Sequence, residues 1–164
     1  MIFDGFFNKV KIEFEVDGKP PQKSRWGDEN ELVANFRKAA SKAKIDAGLD
    51  CSFSGPVRLN LTIYAKNIID RQRQEAFPND PDAYVGDLDN LVTGVCEYLQ
   101  SGPINPDTKI SSFLTNTETD PKKEILIHDD AQFVEIFSKK IKSQKNYYRV
   151  EIEELTNRKR EKSI

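Results

Sequence analysis

From Val10 to Val16 the chain reads Val-Lys-Ile-Glu-Phe-Glu-Val, apolar and charged residues in strict alternation. Successive side chains of a β-strand point to opposite faces, so this stretch must lay one face on a core and hold the other in water. Such a strand cannot stand alone. It requires neighbours to pair with and a layer to cover its apolar face. The same period recurs at 56–65, where Val57, Leu59, Leu61 and Ile63 alternate with Arg58, Asn60 and Thr62. It returns at 146–155, where Tyr148, Val150 and Ile152 alternate with Arg149, Glu151 and Glu153, and a further strand is expected near 131–141.

Two amphipathic helices supply the covering layer. Leu32, Phe36, Ala39, Ala40 and Ala43 form an apolar stripe over 28–47, with Asp46-Ala47-Gly48 as a stop. Leu88, Leu91, Val92, Val95, Cys96 and Leu99 follow the helical repeat and predict a helix over 87–100. The order is β-α-β-α-β-β, an α/β or α+β domain with helices packed on a mixed sheet. Asp17-Gly18-Lys19-Pro20-Pro21 is a turn leading into a stiff extended stretch. Residues 66–86 form a polar connection with Pro78 and Pro81. Residues 101–123 form a long loop or insertion, in which 109–115 would make a short strand or turn. One domain over 1–155 is expected, followed by a charged, mobile tail over 156–164.

Composition narrows the class. Among 164 residues, 10 Phe, 5 Tyr and 1 Trp suffice to anchor a core, which argues against wholesale disorder. No apolar run approaches the roughly 18 residues of a membrane span, and the first ten residues lack a signal-peptide pattern. Cys51 and Cys96 match no metal or redox spacing, so a cytoplasmic protein with reduced thiols and no membrane partner is expected. The net charge of −2 is not that of a typical DNA-binding domain. The charges are segregated, however. Acidic residues gather around 70–90 and 118–135, while Lys139, Lys140, Lys142 and Lys145 cluster near one turn.

The chemistry-bearing residues are carboxylates. Asp87-Leu88-Asp89-Asn90 opens the second helix, and Asp129-Asp130 follows the apolar run Ile125-Leu126-Ile127. Each has a bland reading: Asp is a preferred helix N-cap, and Asp is common in turns between strands. Capping needs no second carboxylate two residues on, nor another acidic pair after a strand. If the fold brings Asp87, Asp89 and Asp130 to one point, their hard oxygens suit Mg²⁺ or Mn²⁺ and would repel one another without it. Such an ion can activate water or stabilise the leaving oxygen in phosphodiester cleavage. Asp87-Leu88-Asp89-Asn90 does not continue as an EF-hand loop, which would need Gly at Val92. His128, the single histidine, has no triad or zinc partner pattern around it and reads as a neighbour of the acidic pair or a surface residue. No Gly-rich phosphate loop is present.

Asp87-Leu88-Asp89-Asn90-Leu91 opening a helix, followed by Asp129-Asp130-Ala131-Gln132-Phe133-Val134 opening a strand, resembles the RusA family of Holliday junction resolvases. Gly18-Lys19-Pro20-Pro21-Gln22-Lys23-Ser24-Arg25 is similar to that family's basic-proline segment after the first strand. The likeness in element order runs along most of residues 10–155. It implies a homodimeric, Mg²⁺-dependent endodeoxyribonuclease that nicks four-way junctions in symmetric pairs. Asp87, Asp89 and Asp130 would then be catalytic and metal-binding, with Asp129 beside them. The chain departs from the family where a Lys is common six residues after the first Asp; Thr93 stands there. Glu97 retains an acidic residue ten after the first Asp.

Charge for holding DNA phosphate would come from Lys19, Lys23 and Arg25, and from Lys139, Lys140 and Lys142. Lysines around a turn are also an ordinary solvated surface, and Arg158-Lys159-Arg160 reads as solubilising. Thr93 motivates a second expectation, a relative that binds branched DNA without cutting it. A third is a metal-dependent nuclease for flaps or duplex ends.

Overall fold

The computed structural model describes residues 10–25, 31–102 and 123–155. The expected first turn of the helix at 28–30, the short element at 109–115, most of the 101–123 loop and the tail at 156–164 lie outside the described residues. Among the described residues there are four strands, β1 (Lys11–Asp17), β2 (Val57–Ala65), β3 (Phe133–Lys142) and β4 (Tyr147–Glu154). Three α-helices accompany them among those residues: α1 (Glu31–Asp46), α2 (Arg71–Ala76) and α3 (Leu88–Tyr98). The fold is α+β on a mixed sheet of strand order β1-β4-β2-β3.

Alternation decides which side is wet. Ile12 and Val16 of β1, Tyr148, Val150 and Ile152 of β4, and Val57, Leu59, Leu61, Ile63 and Ala65 of β2 are buried on the helix-covered face. The opposite face is tiled with ion pairs. Arg58 binds Glu135 and also Glu153, at 2.8 Å, while Arg149 binds Glu13. Exposed pairs of this kind contribute at most about 1 kcal/mol each, so the apolar layer holds the sheet to its helices.

β2 and β3 run parallel, and β4 is antiparallel to both β1 and β2. Parallel neighbours need a crossover, and α3 lies within that connection. Its buried residues include Leu91, Val95 and Cys96 from the expected stripe and Tyr98, which the stripe did not contain, while Leu88 and Val92 are only partly buried. Two features depart from the sequence reading. The polar connection at 66–86 contains α2, which buries none of its residues and starts at Asp70, whose side chain accepts from Arg73 N–H. A helix held by a cap and no apolar stripe leaves no periodic signal. The strand expected from 131 begins only at Phe133, because Asp130–Gln132 is a single 3-10 turn capped by Asp129.

Arg37 of α1 is fully buried and joins distant parts of the chain. Its guanidinium donates to the carbonyls of Tyr98 at 2.6 Å, Gln100 at 3.0 Å and Lys123 at 2.6 Å. Two of these lie at the end of α3, where a cation also complements the helix dipole. The backbone N–H groups of Ile125 and Leu126 both reach Leu99 O, so the buried 125–127 run is tied to the same helix end. Among the described residues no helix is long and apolar enough to cross a membrane.

Candidate acidic site along the third helix

Asp87 occupies the N-cap position of α3 but makes no side-chain cap hydrogen bond. Its carboxylate turns outward, accepting from Arg71 Nη2 at 2.5 Å and from the Tyr84 hydroxyl at 2.9 Å. These two donors hold its pKa below the ordinary carboxylate value. Asp87 is thus an N-cap by position without a side-chain cap bond, whereas the carboxylate of Asp129, read from the sequence as a turn residue, does cap. The Asp129 carboxylate accepts from Ala131 N–H at 2.8 Å, and the Gln132 side chain closes the capping box.

Lys140 stands behind Tyr84. Its ammonium donates to the Tyr84 hydroxyl at 3.1 Å and to Ile68 O at 2.9 Å, and lies 4.8 Å from the centre of the Tyr84 ring. Burial lowers its pKa, while the charges of Asp87 and Asp89 act in the opposite sense. Strand alternation separates the expected lysine cluster. Lys139 lies beside Thr62 on the open face, whereas Lys140 and Lys142 lie beside Ile63 and Ala65 on the helix face. They do not form one patch.

Asp130 has different neighbours. Burial first, then Asp129, raise its pKa, and its charge is felt at Cys96 and Glu97 near the other end of α3. Glu97 is itself pushed up, chiefly by burial, with Asp130 adding to the rise. Glu97 lies ten residues beyond Asp87, about 15 Å along a helix axis. Asp89, Thr93 and Glu97 follow one another at i, i+4 and i+8 on one face. The acidic groups thus form a ridge along α3, with Asp87 at one end and Asp130 with Glu97 towards the other. Among the described residues no three His, Cys, Asp or Glu side chains converge to hold a metal ion. The oxygen donors are chemically right for Mg²⁺, but Asp87, Asp89 and Asp130 do not meet at one point.

The basic-proline segment lies against this helix. Ser24 N–H donates to Glu97 Oε2 at 3.0 Å, Arg25 N–H to the Tyr98 hydroxyl at 2.6 Å, and that hydroxyl to Gln22 O at 2.6 Å. Gly94 permits the approach, since a Cβ there would overlap the Pro21 carbonyl oxygen. Gly86, at φ 122°, is required by its backbone, and a side chain there would also meet Gln22. Ser24 adopts a φ of 62°, a left-handed conformation that non-glycine residues seldom take. Lys23 and Arg25 are exposed beside the Glu97 end of the ridge. Lys19 turns inward, with its ammonium 3.5 Å from Tyr84 O and its pKa lowered by burial despite Asp82 and Asp80.

No protein-family model matches the chain, and no curated protein matches it in sequence. The site must be read from its own residues.

Several of its members carried no sequence signal. Arg71 and Tyr84 belong to a polar connection in which nothing marks them as partners of Asp87. Lys140 stood out only as one lysine among several. His128 proves to be an exposed neighbour of the acidic pair, its Nδ1 2.7 Å from Glu124 Oε2. At position 93 the hydroxyl of Thr93 donates back to Asp89 O at 2.9 Å and projects no cation.

Proposed function

We propose that this protein is a metal-dependent endodeoxyribonuclease acting on branched DNA, of the kind implied by its resemblance to the RusA resolvases. The observation that carries this reading is the placement of Asp130 beside Glu97, with Asp89 on the same helix face. The pKa values of Asp130 and Glu97 are raised first by burial, with the charge of Asp129 adding to the one and that of Asp130 to the other, while Lys23 opposes the rise at Glu97. A divalent ion of the Mg²⁺ or Mn²⁺ class would relieve that repulsion and, when bound, supply activation of water or charge neutralisation at the phosphodiester. Asp130 and Glu97 are the residues that would meet it, with Asp129 fixing the turn that presents Asp130, while Asp89 lies about 12 Å from Glu97 along the helix axis and would not share the same ion.

The remaining roles fall to neighbouring groups. Lys23 and Arg25, on a segment docked to α3, would hold phosphate beside the ridge. Asp87 is already neutralised by Arg71, so its carboxylate would serve by fixing the start of the helix unless DNA phosphate draws Arg71 away. In the homodimer that the resemblance implies, each copy would offer one ridge to one of two equivalent junction strands.

Two observations favour a second reading, a protein that binds branched DNA without cutting it. Thr93 points its hydroxyl to its own helix, and Asp87 is held in an ion pair. The deciding experiment is incubation of a synthetic four-way junction and a matched linear duplex with Mg²⁺ or Mn²⁺. Symmetric nicks in the junction alone, lost in Asp130→Asn and Asp89→Asn while binding persists, support the nuclease. Binding without nicks in either metal would leave the binding protein. Nicking that survives in both variants would remove the ridge from the chemistry.

A further inference from the structure

β1 forms one edge of the sheet, and among the described residues no strand pairs with its outer side. Its ladder to β4 decides which main-chain groups face outward. Val10 O accepts from Glu154 N–H and Gly18 N–H donates to Asn146 O, so the even-numbered residues between them are the ones bonded to β4. The N–H and C=O groups of Lys11, Glu13 and Glu15 therefore point away from the sheet. A groove of about 460 Å³ follows this edge, between β1 and α1. Its apolar lining is Ile12 and Phe14 of β1 with Ala39, Ala43 and Ala47 on the other wall. The alanines stand at i, i+4 and i+8, and nothing longer than a methyl group reaches into the groove from them. Phe14 is left half-buried.

We propose that this groove takes an extended segment of another protein, which adds to β1 as a further strand and alternates bulky apolar with basic residues. The main chain chooses an extended occupant. Outward donors and acceptors repeat at every second residue of β1, about 7 Å apart, a spacing that a strand matches and a compact ligand does not. The two faces choose its side chains. Those beside Ile12 and Phe14 enter the groove, where the alanines leave room for a large apolar group. Those beside Glu13 and Glu15 stand on the open face, where opposite charges across strands attract. Glu13 already has Arg149, but Glu15 makes no ion pair among the described residues, and Asp17, 94 % exposed, reaches Lys145 only at 3.9 Å. A Lys or Arg beside Glu15 supplies the missing charge. A second copy of β1, fully overlapped and antiparallel, would instead set Glu13 against Glu15 twice.

The groove lies at the opposite edge of the sheet from β3 and does not depend on the nuclease reading. An incoming strand would extend the sheet outward beneath α1 and leave the α3 ridge untouched.

Fluorescence anisotropy of a labelled Lys-Val-Lys-Leu-Lys-Val-Lys peptide with the full chain tests the groove. Two control peptides are expected to bind at least about tenfold more weakly, one with the same residues grouped instead of alternating and one with Glu in place of Lys. Ala43→Phe fills the groove from a half-buried position, and is expected to weaken the lysine peptide by about tenfold with an unchanged circular dichroism spectrum. Glu15→Lys changes an exposed carboxylate, and should narrow the preference for the lysine over the glutamate peptide by about fivefold. Amide hydrogen exchange gives a second readout. In the chain alone, the N–H groups of Lys11, Glu13 and Glu15 should exchange faster than those of Ile12, Phe14 and Val16, and saturating lysine peptide should slow them. Slow exchange at all six positions without peptide would mean that another segment or a second copy already holds the edge, and overturns the proposal. So does a lysine peptide that fails to bind, binds no better than the controls, survives Ala43→Phe undiminished or leaves those amides unprotected. Junction cutting is scored separately: a chain that takes the peptide and cuts nothing counts against the nuclease alone.

Discussion

Gly94 of α3 is pressed against the main chain of Pro21, with no room between them for a methyl group. The contact seats the basic-proline segment on the helix that carries the acidic ridge. Alanine at 94 would gain about 1 kcal/mol in helix propensity, but its Cβ would meet backbone atoms that no rotamer can move aside. Overpacking of that kind costs about 1–3 kcal/mol, so the clash should win. Gly94→Ala is expected to lower stability in chemical denaturation. It should also expose the bonds after Lys23 and Arg25 to trypsin before the rest of the chain is cut. A stabilised variant with unchanged trypsin resistance would show that the segment is not seated there.

The carboxylates at the two ends of α3 should affect stability with opposite sign. The pKa of Asp87 is depressed in the fold, first by Arg71 and then by Tyr84. Its contribution is therefore present above its unfolded pKa and lost as pH falls through the folded one. The pKa values of Asp130 and Glu97 are raised, so the fold loses stability as pH climbs from their unfolded values through their folded ones. At neutral pH, Asp87→Asn should destabilise, and Glu97→Gln or Asp130→Asn should stabilise. All three differences should shrink on acidification. Melting curves of the three variants across pH check this, and the same sign for all three would contradict it.

Tyr148 is fully buried on β4, and its hydroxyl is the one buried side-chain polar atom without a partner among the described residues. Its ring packs near Phe36, with centroids 6.3 Å apart, so the aromatic body contributes to the core while the oxygen is desolvated for no return. Tyr148→Phe keeps the ring and removes the oxygen. It is expected to raise unfolding free energy by about 1 kcal/mol, read from the midpoint of urea denaturation. A loss of similar size would reveal a hydrogen bond to that oxygen.

The two cysteines should differ in reactivity. Burial pushes the Cys96 thiol up to about 12, with Asp130 adding to the shift, whereas Cys51 is exposed. The thiolate is the reactive form, so near pH 8 Cys96 should stay inert to alkylation in the native protein while Cys51 is labelled. Unfolding should expose both. Mass spectrometry after a short iodoacetamide pulse reads the outcome directly.

What could be read from the sequence was whatever repeats. β1, β2 and β4 announce themselves because one face is buried and the other wet. α3 does so because its apolar residues keep the helical period. β3 was harder to bound. The residues just before it, Asp130 to Gln132, form a turn capped by Asp129, and its own apolar side chains do not alternate with polar ones. α2 was invisible, since it is anchored by Asp70 and Asn67 rather than by burial. The site follows the same division. The acidic motifs and the basic segment were found as spacings. The ion pair between Arg71 and Asp87, the lysine behind Tyr84 and the docking of Pro21 on Gly94 join residues far apart in the chain, and no local pattern encodes them.

Arg37 has a consequence for how such a chain can change. One guanidinium grips Gln100 and Lys123, so the two ends of the intervening stretch are fixed by a residue that belongs to neither. Lengthening a loop whose ends are already fixed adds little closure entropy, because that term grows only with the logarithm of length. The position is a socket, into which segments of different size and character can be exchanged without renegotiating the domain around it. The number and character of the residues between can change there while the sheet, the helices and the ridge stay as they are.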